Sequence, residues 1–332
     1  MKKVVWGVLG TAKIGMQRVL PGMQKSAWCD IRAIASRSAA TARKAADQLG
    51  IAKAYGSYDE LLADPEIEAV YNPLPNHLHV PLTLRAAAAG KHVLCEKPFA
   101  LNAQEARQLQ AAAGKVLIME AFMVRFHPQW LRARDLVRSG DIGTLRAVQF
   151  LFCYANSDPG NIRNKADVGG GALYDIGCYA ITAGRFFFEA EPQRGIALID
   201  RDPDFRTDRL TSALVDFGGG RHLDFTVSTQ LTPYQRVHLC GTKGRVEIQI
   251  PVNPAQGAQT LLYIDDGSSL AGAGVRTETL PESDQFMLQG EAFSRAVRGE
   301  ISLPYGVEHA VLGMRVIDAL FRSETSGRWE SM

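Results

Sequence analysis

Cysteine is scarce and unpatterned in this chain. The five (Cys29, Cys95, Cys153, Cys178, Cys240) are odd in number, widely scattered and never in CxxC spacing. A disulfide framework and a structural zinc site are therefore not expected, and a reducing compartment fits. No apolar run approaches the roughly 20 residues that a membrane span requires. Neither sign of charge dominates: 37 basic against 35 acidic residues leave +2, which gives no electrostatic reason to expect a nucleic-acid or membrane partner. Met1-Lys2-Lys3 leads straight into a strand pattern, with no apolar export segment and no small-residue cleavage site, so a cytoplasmic protein is the expectation. Internal repeats and low-complexity linkers are also missing. What is present has globular proportions, 46% hydrophobic and 22% charged, in 332 residues that suit two domains.

The first 120 residues alternate. Strand-like runs at 3–9, 30–36, 68–72, 92–95 and 116–119 are separated by helical patterns at 14–24, 38–49, 78–89 and 103–113, with Ser38 a plausible cap for the second helix. Strands alternating with helices of this length indicate βαβ units and a parallel, doubly wound sheet. The rhythm then changes. A helix at 128–139, a strand at 145–154 and a glycine-led helix at 171–188 precede strand-like runs at 195–199, 210–217, 222–229, 237–239, 245–250 and 261–264. Gly218-Gly219-Gly220 and Gly241-Thr242-Lys243-Gly244 fall where hairpin turns belong. Two helices, at 285–297 and 307–321, close the chain. The reading is α/β followed by α+β: a Rossmann domain over 1–122, then a domain over 123–332 with a large, mostly antiparallel, open-faced sheet.

Several residues carry chemistry. The first strand runs into Gly7-Val8-Leu9-Gly10-Thr11-Ala12-Lys13-Ile14-Gly15, close to the dinucleotide fingerprint in which small residues bring backbone amides to a pyrophosphate. Such a turn is either structural or a cofactor cradle, and its place at the head of a βαβ series favours the cradle. The second strand ends in Ala35-Ser36-Arg37, where NAD enzymes usually carry a carboxylate for the ribose 2′-hydroxyl. A hydroxyl and a guanidinium suit a 2′-phosphate instead, pointing to NADP(H), unless Arg37 is an ordinary solvated charge. Tyr71-Asn72-Pro73-Leu74-Pro75-Asn76-His77-Leu78-His79 and Cys95-Glu96-Lys97-Pro98 each follow a predicted parallel strand, on the edge where such sheets bind ligands. Lys97, either a surface lysine or a charge stabiliser, is turned at the rim by Pro98. In Gly169-Gly170-Gly171-Ala172-Leu173-Tyr174-Asp175-Ile176-Gly177-Cys178-Tyr179 a helix would place Asp175 and Tyr179 on one face, like acid–base machinery. Phe150, Phe152, Tyr154 and Phe186–Phe188 read as core or sheet-face packing, and Cys178 as a small buried filler. His77 and His79 have no third partner of metal-ligand spacing, so no metal is expected.

Taken together, these segments resemble the glucose–fructose oxidoreductase / inositol dehydrogenase (Gfo/Idh/MocA) family over essentially the whole chain. The glycine turn, Pro75-Asn76 with His79, Glu96-Lys97-Pro98 and the Gly169–Tyr179 stretch carry the likeness. The resemblance implies a nicotinamide cofactor held by Gly10, Thr11, Ala12, Ile14, Ser36, Arg37, Leu74, Pro75, Asn76, His79, Glu96, Lys97 and Arg163. It makes Lys97 the catalytic lysine and gives Asp175 the task of orienting substrate or tuning the acid. The stretch Glu120–His127 matches a cofactor-contact segment. Tyr179 stands where many members have histidine, as in the branch of glucose–fructose oxidoreductase, NADP-linked xylose dehydrogenase and dihydrodiol dehydrogenase. The family also implies a homodimer or homotetramer built through the open sheet.

The expected reaction is hydride transfer between NADP(H) and a CH–OH or C=O carbon of a sugar or polyol. Tyr179, made acidic by Lys97, would exchange the hydroxyl proton, since a phenol's ordinary pKa near ~10 must fall to work at neutral pH. Two rivals share the fold: a glycosidase that oxidises and re-reduces its sugar within one cycle, and a sensor that binds NADP and sugar without chemistry.

Overall fold

In a computed structural model the chain is described from residue 2 to residue 332. The first sheet has six parallel strands: β1 (Val4–Leu9), β2 (Cys29–Ala35), β3 (Lys53–Tyr55), β4 (Ala69–Asn72), β5 (His92–Cys95) and β6 (Ile118–Glu120). Their order, β3-β2-β1-β4-β5-β6, reverses direction between β1 and β4. That reversal is the switch point at which open α/β sheets take ligands beyond the strand ends. Burial on both faces explains the near-continuous apolar sequences: Val4, Trp6, Val8 and Leu9 are buried in β1, as is every residue of β4.

The connecting helices follow local signals. Ser38 caps Ala39–Leu49 by accepting from the Thr41 N–H, and Gly50, at φ 66°, ends it in the left-handed region. In the first 120 residues the three-residue strand β3 and the helix Tyr58–Ala63 escape the sequence reading, because neither is long enough to show a period. The expected helix at 103–113 is broken into Ala103–Arg107 and Gln110–Ala113. The glycine-turn helix opens with a π turn over Gly15–Val19 before continuing as Leu20–Gln24.

The second sheet has nine strands, ordered β14-β13-β12-β11-β7-β10-β9-β8-β15. They are β7 (Leu145–Ala155), β8 (Arg194–Arg201), β9 (Asp208–Asp216), β10 (His222–Ser228), β11 (Gln230–Gly241), β12 (Arg245–Ile248), β13 (Ala258–Asp265), β14 (Val275–Ser283) and β15 (Glu330–Ser331). Only β7 and β10 pair in parallel; the other neighbours are antiparallel. The three glycines 218–220 all take positive φ and turn β9 into β10. The strongly polar β14 was not expected, since its VRTETLPES sequence lacks an apolar face. In β10, Leu223, Phe225 and Val227 are buried while His222, Asp224 and Thr226 alternate with them. The buried face is covered by the helix Cys178–Phe188, every residue of which is buried. Gly184 lets it approach: a Cβ there would lie 2.9 Å from Phe217 Cζ.

Two compact units result. One comprises residues up to Met123 together with Asp284–Met314; the other comprises Val124–Ser283 and Arg315–Met332. The sequence boundary at 122/123 follows the first division, but it leaves Asp284–Met314 with the second half. Packing assigns that segment to the first unit. Trp6 donates through Nε1 to Ser294 Oγ at 3.1 Å, its ring lies 5.4 Å from that of Phe293, and Arg298 pairs with Glu68 at 2.6 Å.

Candidate active site

In the first unit the expected cofactor residues gather at the strand ends around the switch point. Gly10, at φ 102°, follows β1 and donates its N–H to Ala35 O, which ties the glycine turn to the end of β2. A Cβ on Gly10 would come within 2.8 Å of Leu74 Cδ2, so the turn and the loop after β4 are closely packed. Among the described residues, the N–H groups of Thr11 and Ala12 find no protein acceptor. They stand at the mouth of a helix, as an anion cradle requires. Ser36 is half-buried and Arg37 exposed at the end of β2, and no ion pair engages Arg37 among the described residues. The residues therefore fit a dinucleotide.

Tyr58 was missed by the sequence reading. Its phenol is close enough to Arg37 for the guanidinium to favour its ionised form, although burial prevails and raises its pKa. The Tyr58 hydroxyl would also lie 3.8 Å from a Cβ on Gly10. The only available signal was the helix that follows Ser57, too short to be periodic.

The loops after β4 and β5 are knitted together by buried polar groups. Asn72, fully buried, donates through Nδ2 to His79 O at 3.2 Å and accepts the Leu74 N–H at 3.3 Å. The His79 ring bridges two carbonyl oxygens, with Nδ1 2.7 Å from Pro98 O and Nε2 2.7 Å from Leu74 O. Burial drives its pKa down to about 4 against the pull of the two carbonyls. His79 thus fastens the segment holding Pro75 and Asn76 to the one holding Lys97. Glu96, expected on the cofactor, has an internal task as well. Its carboxylate accepts the Tyr71 hydroxyl at 2.7 Å and the Lys97 N–H at 3.3 Å, steadying the backbone at Lys97. Ile14 is 40% exposed at the start of the first helix.

In the second unit the glycine-led segment opens not as an α-helix but as a π turn over Leu173–Gly177, continued by the α-helix Cys178–Phe188. Asp175 lies in the wider turn and Tyr179 in the first turn of the α-helix, so the simple i,i+4 geometry does not hold between them. π turns of this kind recur at functional sites. Around Asp175 a cluster forms that the sequence did not reveal. Oδ2 accepts Arg163 Nε at 2.8 Å and the Tyr154 hydroxyl at 2.7 Å. Tyr154 was read as sheet-face packing; instead its phenol is a polar partner of Asp175, and no sequence periodicity could disclose that. Burial and the adjacent carboxylate hold the Tyr154 phenol well above its ordinary pKa. The Asp175 charge holds the Arg163 guanidinium protonated, with Tyr154 and Tyr179 adding to the effect. Arg163, expected on the cofactor, is therefore at least half committed to Asp175. Tyr179 is 5% exposed.

The glycines at the head of this segment allow close backbone packing. A Cβ on Gly170 would lie 2.5 Å from Arg163 O, and one on Gly171, at φ 120°, would land on the Asp208 carboxylate. Gly170 and Gly171 in turn donate their N–H groups to Lys165 O and Arg163 O, both at 2.9 Å. They let the Arg163 loop fold against the start of the π turn.

A doubly wound sheet whose glycine turn fits a dinucleotide, joined in one chain to a carboxylate–guanidinium–phenol cluster on a mostly antiparallel sheet, fits a nicotinamide-linked oxidoreductase. Comparison with known proteins agrees. Residues 4–120 match the model of an oxidoreductase family with an NAD-binding Rossmann fold, and residues 130–247 match the GFO/IDH/MocA C-terminal domain. The chain belongs to the GFO/IDH/MocA family of oxidoreductases. It is 47% identical to an uncharacterized oxidoreductase of Rhizobium meliloti across 100% of each chain. It is 39% identical to a D-xylose 1-dehydrogenase (NADP(+)) of Haloferax volcanii across 98% of each. Among solved structures it resembles the 3-ketoreductase KijD10 of Actinomadura kijaniata in complex with NADP and TDP-benzene. The TM-score is 0.90 at 30% identity, covering 97% of this chain and 98% of that one. Variants of the same ketoreductase with one tyrosine changed to phenylalanine, or one lysine to alanine, have been solved with the same ligands. Among the described residues no cluster of metal-ligating side chains occurs, and no helix is long and apolar enough to cross a membrane.

Proposed function

We propose that the protein is an NADP(H)-dependent sugar oxidoreductase that interconverts a CH–OH and a C=O carbon on an aldose or a related polyol. The observation that carries this reading is the Asp175 carboxylate, held on one oxygen by Arg163 and Tyr154 in the turn that leads into Tyr179. The bound nicotinamide supplies or accepts the hydride. Gly10, Thr11 and Ala12 bind its pyrophosphate, Ser36 and Arg37 its 2′-phosphate, and Tyr58 flanks that end. Tyr179 takes the substrate hydroxyl proton in oxidation and returns it in reduction. The Lys97 ammonium stabilises negative charge on the reacting oxygen and favours the ionised phenol. Asp175 accepts a hydrogen bond from a second substrate hydroxyl. The protein acts in the cytoplasm as a homodimer or homotetramer that covers the second face of the nine-stranded sheet. The roles divide with the two compact units: residues up to 123 together with 284–314 for cofactor, and 124–283 together with 315–332 for substrate and assembly.

The relatives support the choice of sugars and of NADP, since a D-xylose 1-dehydrogenase (NADP(+)) aligns over 98% of each chain and the similar 3-ketoreductase was solved with NADP. The test is a 340 nm screen of aldoses, polyols, dicarbonyls and cyclic diols, run in parallel with NADP and NAD. Turnover with NADP on an aldose or polyol is expected, and a clear NAD preference would overturn the assignment of Arg37. Release of free sugar from an aryl glycoside without net absorbance change would favour the glycosidase instead. NADPH binding with no turnover anywhere in the panel would leave the sensor.

A further inference from the structure

Asp208 at the start of β9 is 1% exposed, and among the described residues no cation forms an ion pair with it. Its Oδ2 accepts the Leu173 N–H at 2.6 Å and the Thr211 hydroxyl at 3.1 Å. Oδ1 occupies the space in front of Gly171 that a Cβ would need. The charged groups facing it are few. Arg201 of β8 exerts a weak pull but is itself paired with Glu324 at 2.6 Å, and Tyr154 of β7 feels the Asp208 charge. Burial raises its pKa to about 6. An asparagine could keep an acceptor in the same place at lower cost, because an unpaired buried carboxylate is among the least favourable groups in a protein interior. A carboxylate retained there calls for a reason beyond packing.

The location supplies one. Leu173 is the first residue of the π turn, and its N–H is among the orphan donors that a helix start leaves unmatched. A charged acceptor holds such a donor more tightly than a neutral one. Asp175 follows two residues later, where its carboxylate must meet both Arg163 and Tyr154.

We propose that Asp208 is a positioning residue for the oxidoreduction: held against Gly171, its carboxylate clamps the Leu173 N–H and the Thr211 hydroxyl and so fixes the π turn in the register that presents Asp175 to Arg163 and Tyr154. The inference rests on the roles given above to Asp175 and Tyr179.

Asp208→Asn separates this from simple packing. On the aldose turned over fastest in the panel, kcat should fall about tenfold, since small displacements of a reacting group are costly. The KM for NADPH should stay within about twofold, because Gly10, Thr11, Ala12, Ser36 and Arg37 belong to the other compact unit. The acid limb of the wild-type kcat profile near pH 6 should disappear. Stability should move the opposite way from that of a structural residue. The folded-state pKa of about 6 exceeds the ordinary 3.8, so wild type loses stability as pH rises through that window and the asparagine variant does not. The Tm difference, variant minus wild type, should therefore grow more positive between pH 4 and pH 7. Thr211→Val, which removes one clamped donor and little volume, should lower kcat in the same direction. Wild-type kcat and pH profile in Asp208→Asn, alongside a dead Tyr179→Phe, would overturn the proposal while leaving the function intact. Full turnover in Tyr179→Phe would sink the functional reading instead.

Discussion

At the residue scale the chemistry turns on which groups share one carboxylate. Asp175 accepts from a guanidinium and a phenol on the same oxygen, so its orientation is set by two partners. Tyr154→Phe removes one of them and keeps the ring. It should reduce kcat by roughly threefold to tenfold and leave NADPH binding alone, measured at 340 nm and by cofactor fluorescence. Arg163→Ala should cost more, because it strips the charge as well as a hydrogen bond. Tyr179→Phe removes the proposed proton carrier altogether. Its turnover should fall by about 10²–10⁴ while NADPH still quenches protein fluorescence, and wild-type-like turnover would remove Tyr179 from the mechanism. Combining it with Lys97→Ala should cost far less than the two separate losses multiplied, since the lysine is assigned to act on the same proton transfer.

At the element scale the glycines differ in what they do. Gly50 takes φ 66° with nothing within 4 Å of a built Cβ, so Gly50→Ala meets only backbone strain. That should cost about 1 kcal/mol in urea unfolding, with activity untouched. Gly171→Ala combines a φ of 120° with a collision against Asp208. It should lower both stability and kcat, because the π turn cannot keep its register with the carboxylate displaced. Ser38→Ala serves as a control. It removes an exposed N-cap and should lower stability by about 0.5–1 kcal/mol in urea unfolding with kcat unchanged.

At the scale of the whole molecule two carboxylates, Glu68 half-buried and Asp208 buried, give pH dependences of opposite sign. Glu68 joins β1 to the returning segment Asp284–Met314 by pairing with Arg298, which chiefly holds its pKa down to about 2 from 4.5. The stabilisation is complete above pH 4.5 and fades as pH falls through about 2. Arg298→Ala should therefore lower Tm at pH 7, with the gap from wild type closing progressively as acid is added. A constant gap would deny the pair its role. Asp208 behaves inversely, favouring the folded state at low pH and costing stability above about 6.

Much of this was legible in sequence. The alternating segments of the first 120 residues give the doubly wound sheet because strands buried on both faces need continuous apolar runs, and β1, β4 and β5 have them. The fingerprint glycines, Ser36-Arg37, Glu96-Lys97-Pro98 and the Asp175–Tyr179 stretch are local patterns, set by backbone conformations that neighbouring residues dictate. Strand β14 and the helix Tyr58–Ala63 were not legible, since a polar edge strand and a two-turn helix take their form from neighbours rather than from their own period. Asp208 and Tyr154 stood among ordinary strand residues, 33 positions after and 21 before Asp175, with nothing local to mark them. Only the pairing of β7 and β9 with β10 between them brings both to the π turn, where burial makes one a clamp and the other a hydrogen-bond partner. The sequence by itself determined the family, the cofactor cradle and the candidate acid–base residues. The tertiary structure decided which carboxylate is paired and which is left buried alone, because desolvation and partner geometry exist only once distant strands meet.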